Sequence, residues 1–146
     1  MKKSTLIEKA LQIAINAHKG QTDVGGKPYI LHVLRVMNSV DKDEEKITAT
    51  LHDVAEDTSW TLDKLKKEGF SNEIVDAVDS VTRRETEDYF TFVNRSKKNI
   101  IGRVVKIADI KDNMDIGRID NPKKKDFERI ERYKKALKIL KWLKKL

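Results

Sequence analysis

The chain has 146 residues, carries a formal net charge of +7 and contains no cysteine. A chain of this length can bury a core without covalent staples, and the lack of cysteine excludes a disulfide framework and a thiolate metal site. No apolar run approaches the roughly 18 residues of a membrane span, and Glu8 and Lys9 interrupt the apolar stretch that a signal peptide would need. We therefore expect one soluble domain over residues 1–146, located in the cytoplasm.

Helical patterns run through almost the whole chain, and strand patterns are nearly absent. Apolar residues recur at spacings of three and four, with glycine, proline and capping residues between the runs, which predicts an all-α bundle of about eight helices. In chain order these helices are expected at residues 4–20, 30–40, 43–57, 61–69, 71–83, 89–97, 99–115 and 122–146. Residues 21–29 contain adjacent glycines and a proline, which predicts a loop.

The last predicted helix concentrates much of the positive charge. Its apolar residues form one stripe surrounded by lysine and arginine, at Phe127, Ile130, Tyr133, Leu137, Leu140 and Trp142 or Leu143. A basic helix can bind nucleic acid or an anionic small molecule, but this pattern is typical of an ordinary solvated helix. Nucleic acid is therefore not an expected partner. The chain end either closes the bundle or mediates an oligomer through Trp142, Leu143 and Leu146.

The segment TLHDVAEDTSW, residues 50–60, places ionisable side chains in what otherwise reads as an apolar helix. His52 and Asp53 are adjacent, and Glu56 and Asp57 follow one turn later. Further ionisable residues stand beside small or apolar neighbours, namely His18, His32 and Asp109. A buried imidazole or carboxylate must be paired, protonated or bound to a metal. Two histidines and two aspartates in a helical bundle make a site that suits Mn, Fe or Mg better than a structural zinc.

Some of these candidates also have a purely structural interpretation. A lone histidine on an apolar helix face is more often a hydrogen-bonded core residue than a ligand, and we assign His32 to the core, with a neighbouring backbone carbonyl as its partner. Asp109 alone would fit a helix cap. His52 and Asp53 point about 100° apart on a regular helix, so they can share a metal only if it lies near the groove between them.

Three segments carry motifs in a fixed order: AHKGQTDVGGKPYILHVLRVM at 17–37, LHDVAEDTSWTLDKLKKEGFSNEIVDAVDSVTR at 51–83 and VVKIADIKDNM at 104–114. The dipeptide HD alone is a weak signal. The signal becomes specific when HD is followed by ED and both stand between an AHxGQ stretch and an ADxxxNM helix. Over residues 5–118 the chain resembles the hydrolase domain of the RelA/SpoT family and the stand-alone small alarmone hydrolases. These proteins are HD-domain metal-dependent phosphohydrolases, so the resemblance implies an HD-domain helical bundle.

The resemblance also implies an activity and a cofactor. The family hydrolyses the pyrophosphate from the 3′ position of guanosine tetra- or pentaphosphate. By resemblance a manganese ion would be held by His18, His52, Asp53 and Asp109. The same set of nitrogen and oxygen ligands would also accept other divalent transition metals.

Four further residues receive roles from the resemblance. Glu56 and Asp57 would form an acid/base pair beside the metal. Glu56 can orient the attacking water or take its proton, and Asp57 can serve the leaving group or a supporting role. Asn113 would contact the ribose or its phosphate, and Lys9 would lie near the nucleotide. The expected partner is thus a small nucleotide.

Several positions depart from the family pattern, and they fall among the expected substrate contacts. Asp23 stands where the family commonly has arginine, and Val33 replaces a proline. Ile110 and Asp112 replace the arginine and the histidine of the last motif. Replacement phosphate contacts can come from basic residues that are otherwise surface charges: Arg83, Arg84, Arg95, Arg103 and Lys106. Two alternatives therefore stay open: an HD phosphohydrolase of another nucleotide, and a non-catalytic HD module that binds nucleotide or RNA.

Overall fold

The computed structural model describes residues 2–142, without the side chains of Lys3, Ser4 and Asp57. Within this range nine α-helices follow one another: α1 (Lys3–Ala17), α2 (Ile30–Asn38), α3 (Asp43–Leu51), α4 (Val54–Asp57), α5 (Leu62–Lys67), α6 (Asn72–Ser80), α7 (Tyr89–Lys97), α8 (Ile100–Asn113) and α9 (Lys124–Lys141). A 3-10 turn at Ile116–Arg118 precedes α9. None of the described helices is long and apolar enough to span a membrane. The all-α prediction is confirmed.

The predicted helix over residues 43–57 is divided into α3 and α4, which is why nine helices stand where about eight were expected. The amide of His52 donates to the carbonyl of Ala49 at 3.4 Å, and Asp53 has φ −108° and ψ 0°, outside the helical region. The turn brings the adjacent side chains together, since Nε2 of His52 lies 2.9 Å from Oδ2 of Asp53. An unbroken helix would direct them about 100° apart.

Helix α3 occupies the centre of the bundle, in contact with α1, α2, α6 and α8. Neighbours on several sides bury apolar and polar positions alike, so that Ile47, Thr48 and Leu51 are all inaccessible to solvent. The buried hydroxyl of Thr50 bonds within the helix, since its Oγ1 donates to the carbonyl of Lys46 at 2.7 Å. The residues just after α3 therefore begin at a buried position in the centre of the bundle.

Helix α8 approaches α6 closely at Gly102. A Cβ atom at Gly102 would lie 1.9 Å from Oγ of Ser80, whose hydroxyl donates to the carbonyl of Ala77 at 2.6 Å. Glycine is accordingly required inside this helix by packing, although it lowers helix propensity. The close approach sets the position of α8, which carries Asp109 seven residues further along.

The basic helix α9 packs on α7 and α8 through part of its apolar stripe. Ala136 and Leu140 are fully buried, and the carbonyl of Leu140 accepts a hydrogen bond from Nε of Arg103 at 2.5 Å. Phe127 and Trp142 remain 53% and 61% exposed, so the stripe is not covered at either end. Leu143 and Leu146 lie outside the described residues.

Substitution of Gly102 by alanine tests the close approach of α6 and α8. Alanine normally favours a helix over glycine by about 1 kcal/mol. Here we expect Gly102→Ala to lower the free energy of unfolding by about 1–3 kcal/mol, because the methyl group overlaps Ser80. Urea denaturation followed by circular dichroism would measure this change.

The double variant Gly102→Ala/Ser80→Ala removes the overlapping hydroxyl and should recover most of the loss, with Ser80→Ala alone as the matched control. An alanine at Gly102 that stabilises the protein would show that the helices are not in contact there.

Candidate metal centre

Four ionisable side chains converge where α2, the turn between α3 and α4, and α8 meet. One ligand atom from each lies within 4.8 Å of the others, and the residues are His32, His52, Asp53 and Asp109. Both histidines are 1% exposed and Asp109 is 6% exposed. The side chain of Asp53 retains 15% exposure. The cluster is thus buried and reaches solvent mainly at Asp53.

The hydrogen bond of His52 fixes which ring nitrogen faces the cluster. Its Nδ1 lies 2.6 Å from the carbonyl oxygen of Ala49, and because a carbonyl only accepts, Nδ1 carries the hydrogen. Nε2 of a neutral ring then presents a lone pair. That atom lies 2.9 Å from Oδ2 of Asp53 and 3.3 Å from Oδ1 of Asp109, and it makes no hydrogen bond of good geometry to described atoms.

His32 adopts the same orientation through a different partner. Its Nδ1 lies 2.6 Å from Oδ2 of Asp112, and its Nε2 lies 3.0 Å from Oδ1 of Asp109. Burial acts to raise the pKa of Asp112, but hydrogen bonds from Arg35 and His32 outweigh burial and lower the pKa below its ordinary value. The ionised carboxylate accepts, so Nδ1 of His32 donates, and Nε2 faces the cluster.

The two aspartates of the cluster are stabilised as carboxylates. Burial raises the pKa of Asp109, but the charges of Lys106 and His52 outweigh it and hold the pKa well below its ordinary value. Nζ of Lys106 lies 3.1 Å from Oδ2 of Asp109. Burial likewise raises the pKa of Asp53, but the charge and hydrogen bond of His52, together with a hydrogen bond from Tyr29, bring the pKa below its ordinary value. The hydroxyl of Tyr29 donates to Oδ2 of Asp53.

These contacts direct Nε2 of both histidines and an oxygen of each aspartate into one buried space. Burial would lower the pKa of His52, yet Asp53 and Asp109 outweigh it and raise the pKa well above its ordinary value. The two carboxylates of the site therefore stabilise a positive charge between them. Two imidazole nitrogens with lone pairs and two carboxylates are ligands that divalent transition metals accept. The donor set fits a divalent cation.

The sequence profile of the HD domain matches residues 10–138 of the chain. The chain belongs to the HD domain family. Among similar proteins, one from Mycobacterium leprae named "Probable GTP pyrophosphokinase" is 32% identical over 133 residues, or 82% of this chain. A Haemophilus influenzae protein named guanosine-3′,5′-bis(diphosphate) 3′-pyrophosphohydrolase is 35% identical over 116 residues, or 70% of this chain. This HD-domain chain spans 17% of the length of each of these two relatives.

A solved structure shares the fold of this HD-domain chain. It is that of a metazoan ortholog of SpoT that hydrolyses ppGpp, and it aligns with a TM-score of 0.77 at 22% identity. The alignment covers 97% of this chain and 88% of that one. The predicted HD-domain bundle, and the resemblance to RelA/SpoT hydrolases, are confirmed.

Three of the four predicted metal ligands belong to the cluster: His52 and Asp53, which form the HD dipeptide, and Asp109. His18 does not. Its ring packs 4.9 Å from the ring of Tyr29, measured between centroids, and its Nδ1 lies 2.9 Å from Oε1 of Gln21. Tyr29 contacts both His18 and the cluster, since its ring lies 5.3 Å from that of His32.

His32 takes the fourth place in the cluster, although the sequence analysis assigned it to the core. It is buried as expected, but its ring nitrogens contact two carboxylates instead of a backbone carbonyl. The sequence did contain one signal for a histidine at this place. Asp109 and Asp112 are three residues apart, so they lie on one face of a helix and can accept hydrogen bonds from both nitrogens of one imidazole.

The remaining predicted site residues lie at different distances from the cluster. Nδ2 of Asn113 donates to Oδ1 of Asp109 at 3.0 Å, so this residue adjoins it directly. Glu56 is exposed, and its Oε2 accepts from the amide of Arg83 at 3.4 Å. Nζ of Lys9 lies 2.7 Å from Oε2 of Glu68, and neither residue is in the cluster. The side chain of Asp57 lies outside the described part of the chain.

The basic residues that the sequence suggested as phosphate contacts fall into two groups. Some bind other parts of the fold, and others are exposed to solvent. Nε of Arg95 lies 2.8 Å from Oε2 of Glu87, and Arg103 binds the end of α9, so both serve the fold. Arg83 and Arg84 are exposed and line an open pocket of about 360 Å³ together with Ala55, Glu56 and Glu85. This pocket places two guanidinium groups beside the carboxylates of Glu56 and Glu85.

The buried pair of Lys106 and Asp109 makes a stability prediction. Replacing Lys106 by methionine removes a cation that lies 3.1 Å from the carboxylate and 4.6 Å from the ring centroid of Phe92. Because an uncompensated buried charge is costly, we expect a loss of about 3 kcal/mol in the free energy of unfolding, measured by urea denaturation with a chelator present.

Lys9→Met is the matched control, because the pair of Lys9 and Glu68 is partly exposed and should contribute less than about 1 kcal/mol. Similar losses in both variants would contradict the buried position of Lys106.

Proposed function

We propose that this HD-domain chain is a metal-dependent phosphohydrolase that removes the 3′ pyrophosphate from guanosine tetra- or pentaphosphate. The buried cluster around the HD dipeptide is the observation that carries the proposal, because its donor set fits a divalent cation. The pyrophosphohydrolase name of the Haemophilus influenzae relative and the ppGpp hydrolysis by the metazoan ortholog of SpoT support the substrate.

We propose Mn²⁺ as the cofactor. The proposed ligands are Nε2 of His32, Nε2 of His52 and carboxylate oxygens of Asp53 and Asp109. A divalent ion there would supply Lewis-acid chemistry, polarising a phosphoryl group and making water a better nucleophile. His18 stays a ligand predicted from the sequence. The ring of Tyr29 contacts both His18 and His32, and only His32 belongs to the cluster, which supports His32 as the ligand instead of His18.

The exposed carboxylate of Glu56 is proposed to orient the attacking water or to accept its proton. It follows Asp53 by three residues and faces the pocket that Arg83 and Arg84 line. Their guanidinium groups would bind the phosphates of the substrate, since arginine matches phosphate geometry. Asp57 is proposed to assist the leaving group, as the family resemblance implies.

Asn113 and Lys9 are the proposed substrate contacts that come from the resemblance. The amide of Asn113 has a second hydrogen and an oxygen beyond its bond to Asp109, and these would reach the ribose or its phosphate. The ammonium of Lys9 binds both the side chain and the carbonyl of Glu68. A contact of Lys9 with nucleotide therefore requires that this ion pair opens.

The metal assignment predicts different behaviour for the two candidate histidines. His32→Gln should weaken Mn²⁺ binding by tenfold or more, because it removes an inward-facing nitrogen, whereas His18→Gln should change the affinity by less than about threefold. Isothermal titration of metal-free protein would measure both. At about 100 times its Kd, Mn²⁺ should stabilise the wild type by about 2.7 kcal/mol. The opposite ranking of the two variants would restore His18 as the ligand.

The catalytic assignment predicts a large loss of turnover in Glu56→Gln. We expect kcat for pyrophosphate release from guanosine tetraphosphate to fall by about 10²–10⁴-fold, because the variant cannot accept a proton. Glu85→Gln is the matched control, since Glu85 lines the same pocket. The substrate panel includes the adenosine analogue, NADPH and ordinary nucleotides.

Turnover of another nucleotide alone would keep the chemistry and change the substrate. A protein that binds Mn²⁺ but hydrolyses none of them would favour a non-catalytic module. If that module bound RNA, its affinity would fall steeply with salt concentration.

A further inference from the structure

Asp112 contacts a histidine of the cluster without belonging to the cluster. Its Oδ2 accepts from Nδ1 of His32 at 2.6 Å, while Nε2 of the same ring faces Asp109. We propose that Asp112 is a positioning residue that orients His32 for metal binding, and that Arg35 holds Asp112 in place. The inference rests on the proposed metal site.

The bond from His32 to Asp112 fixes both the hydrogen position and the plane of the ring. A carboxylate only accepts, so Asp112 keeps a hydrogen on Nδ1, and a cation that displaces any hydrogen shared between Nε2 and Asp109 would meet the lone pair of Nε2. Outer partners of this kind increase the basicity of a ligand histidine and hold its orientation, and their removal typically lowers metal affinity by about 10–100-fold. The contact between Asp112 and Nδ1 of His32 makes Asp112 such an outer partner.

The two histidines of the cluster are held differently. Nδ1 of His52 binds a backbone carbonyl, which no substitution can remove. His32 depends on a side chain from another helix, 80 residues away in the sequence. His32 is therefore the ligand whose orientation a single substitution can release without changing the ligand itself.

Asp112 is itself restrained by two arginines. Arg35 binds it in a bidentate manner, with Nε 2.7 Å from Oδ1 and a terminal nitrogen 3.1 Å from Oδ2. A terminal nitrogen of Arg118 lies 3.4 Å from Oδ2 of Asp112 and also donates to the carbonyl of Asp112. Bidentate pairing of guanidinium and carboxylate fixes the direction of both groups.

Arg118 also joins the two acids that depart from the family pattern. Its other terminal nitrogen lies 3.6 Å from Oδ2 of Asp23. Oδ1 of Asp23 accepts from the amides of Gly25 and Lys27 at 2.9 Å each, so this carboxylate shapes the loop after α1. The carboxylate of Asp23 is consequently engaged within the protein, and Arg118 connects it to Asp112, which in turn contacts His32.

The test compares Asp112→Asn with Asp115→Asn. Asp115 also pairs with Arg118, at 3.6 Å, but its side chain is 60% exposed and it does not contact His32. We expect the affinity for Mn²⁺, measured by isothermal titration, to fall by about 10–100-fold in Asp112→Asn and by less than twofold in Asp115→Asn. Arg35→Gln, which removes the bidentate support of Asp112 but keeps the carboxylate that contacts His32, should give a loss between these limits.

A second readout separates orientation from general damage. The visible absorption spectrum of the Co²⁺-loaded protein reports the geometry of the ligands, so it should change in Asp112→Asn and stay the same in Asp115→Asn. Unchanged affinity and spectrum in both Asp112→Asn and Arg35→Gln would overturn the inference while leaving the metal site intact. A wild-type protein that binds neither ion would overturn the proposed function and this inference together.

Discussion

Two imidazole nitrogens and two carboxylates face one another in the interior of this HD domain, and the polar contacts around them hold them there. Buried carboxylates repel unless a positive charge lies between them or beside them. Lys106 binds Oδ2 of Asp109, whereas Asn113 donates to Oδ1, the oxygen that faces the two histidines. Tyr29 donates to Oδ2 of Asp53, which also faces a histidine of the cluster. These donors orient the carboxylates, and a shared cation would balance their charge.

Backbone geometry supplies the other half of this arrangement. The chain leaves the helical conformation at Asp53, which turns the adjacent His52 and Asp53 toward the same point. The carbonyl of Ala49, released from regular helix bonding by the same turn, accepts from Nδ1 of His52. The close approach at Gly102 sets α8 and with it Asp109. Each of these features is local, but only their combination brings the ligands within reach of one another.

The sequence predicted the helical architecture and the HD family from patterns that are local or ordered along the chain. The apolar periodicity continues past Leu51 to Val54, which is why a single helix was expected where the structure has a turn. The spacing of Asp109 and Asp112 indicates two acceptors on one helix face, but it does not show which histidine lies between them, because His32 is 80 residues from Asp112 and only tertiary packing brings the two together. For the same reason Asp23 was expected near the polyphosphate of a substrate, whereas its carboxylate pairs with Arg118.

The most direct measurement of the central claim is an anomalous difference map from a crystal of the protein grown with Mn²⁺. We predict one peak bonded at about 2.0–2.3 Å to Nε2 of His32, Nε2 of His52 and the carboxylates of Asp53 and Asp109. A peak bonded to His18 with His32 left out, or a cluster without any peak at saturating Mn²⁺, would contradict it.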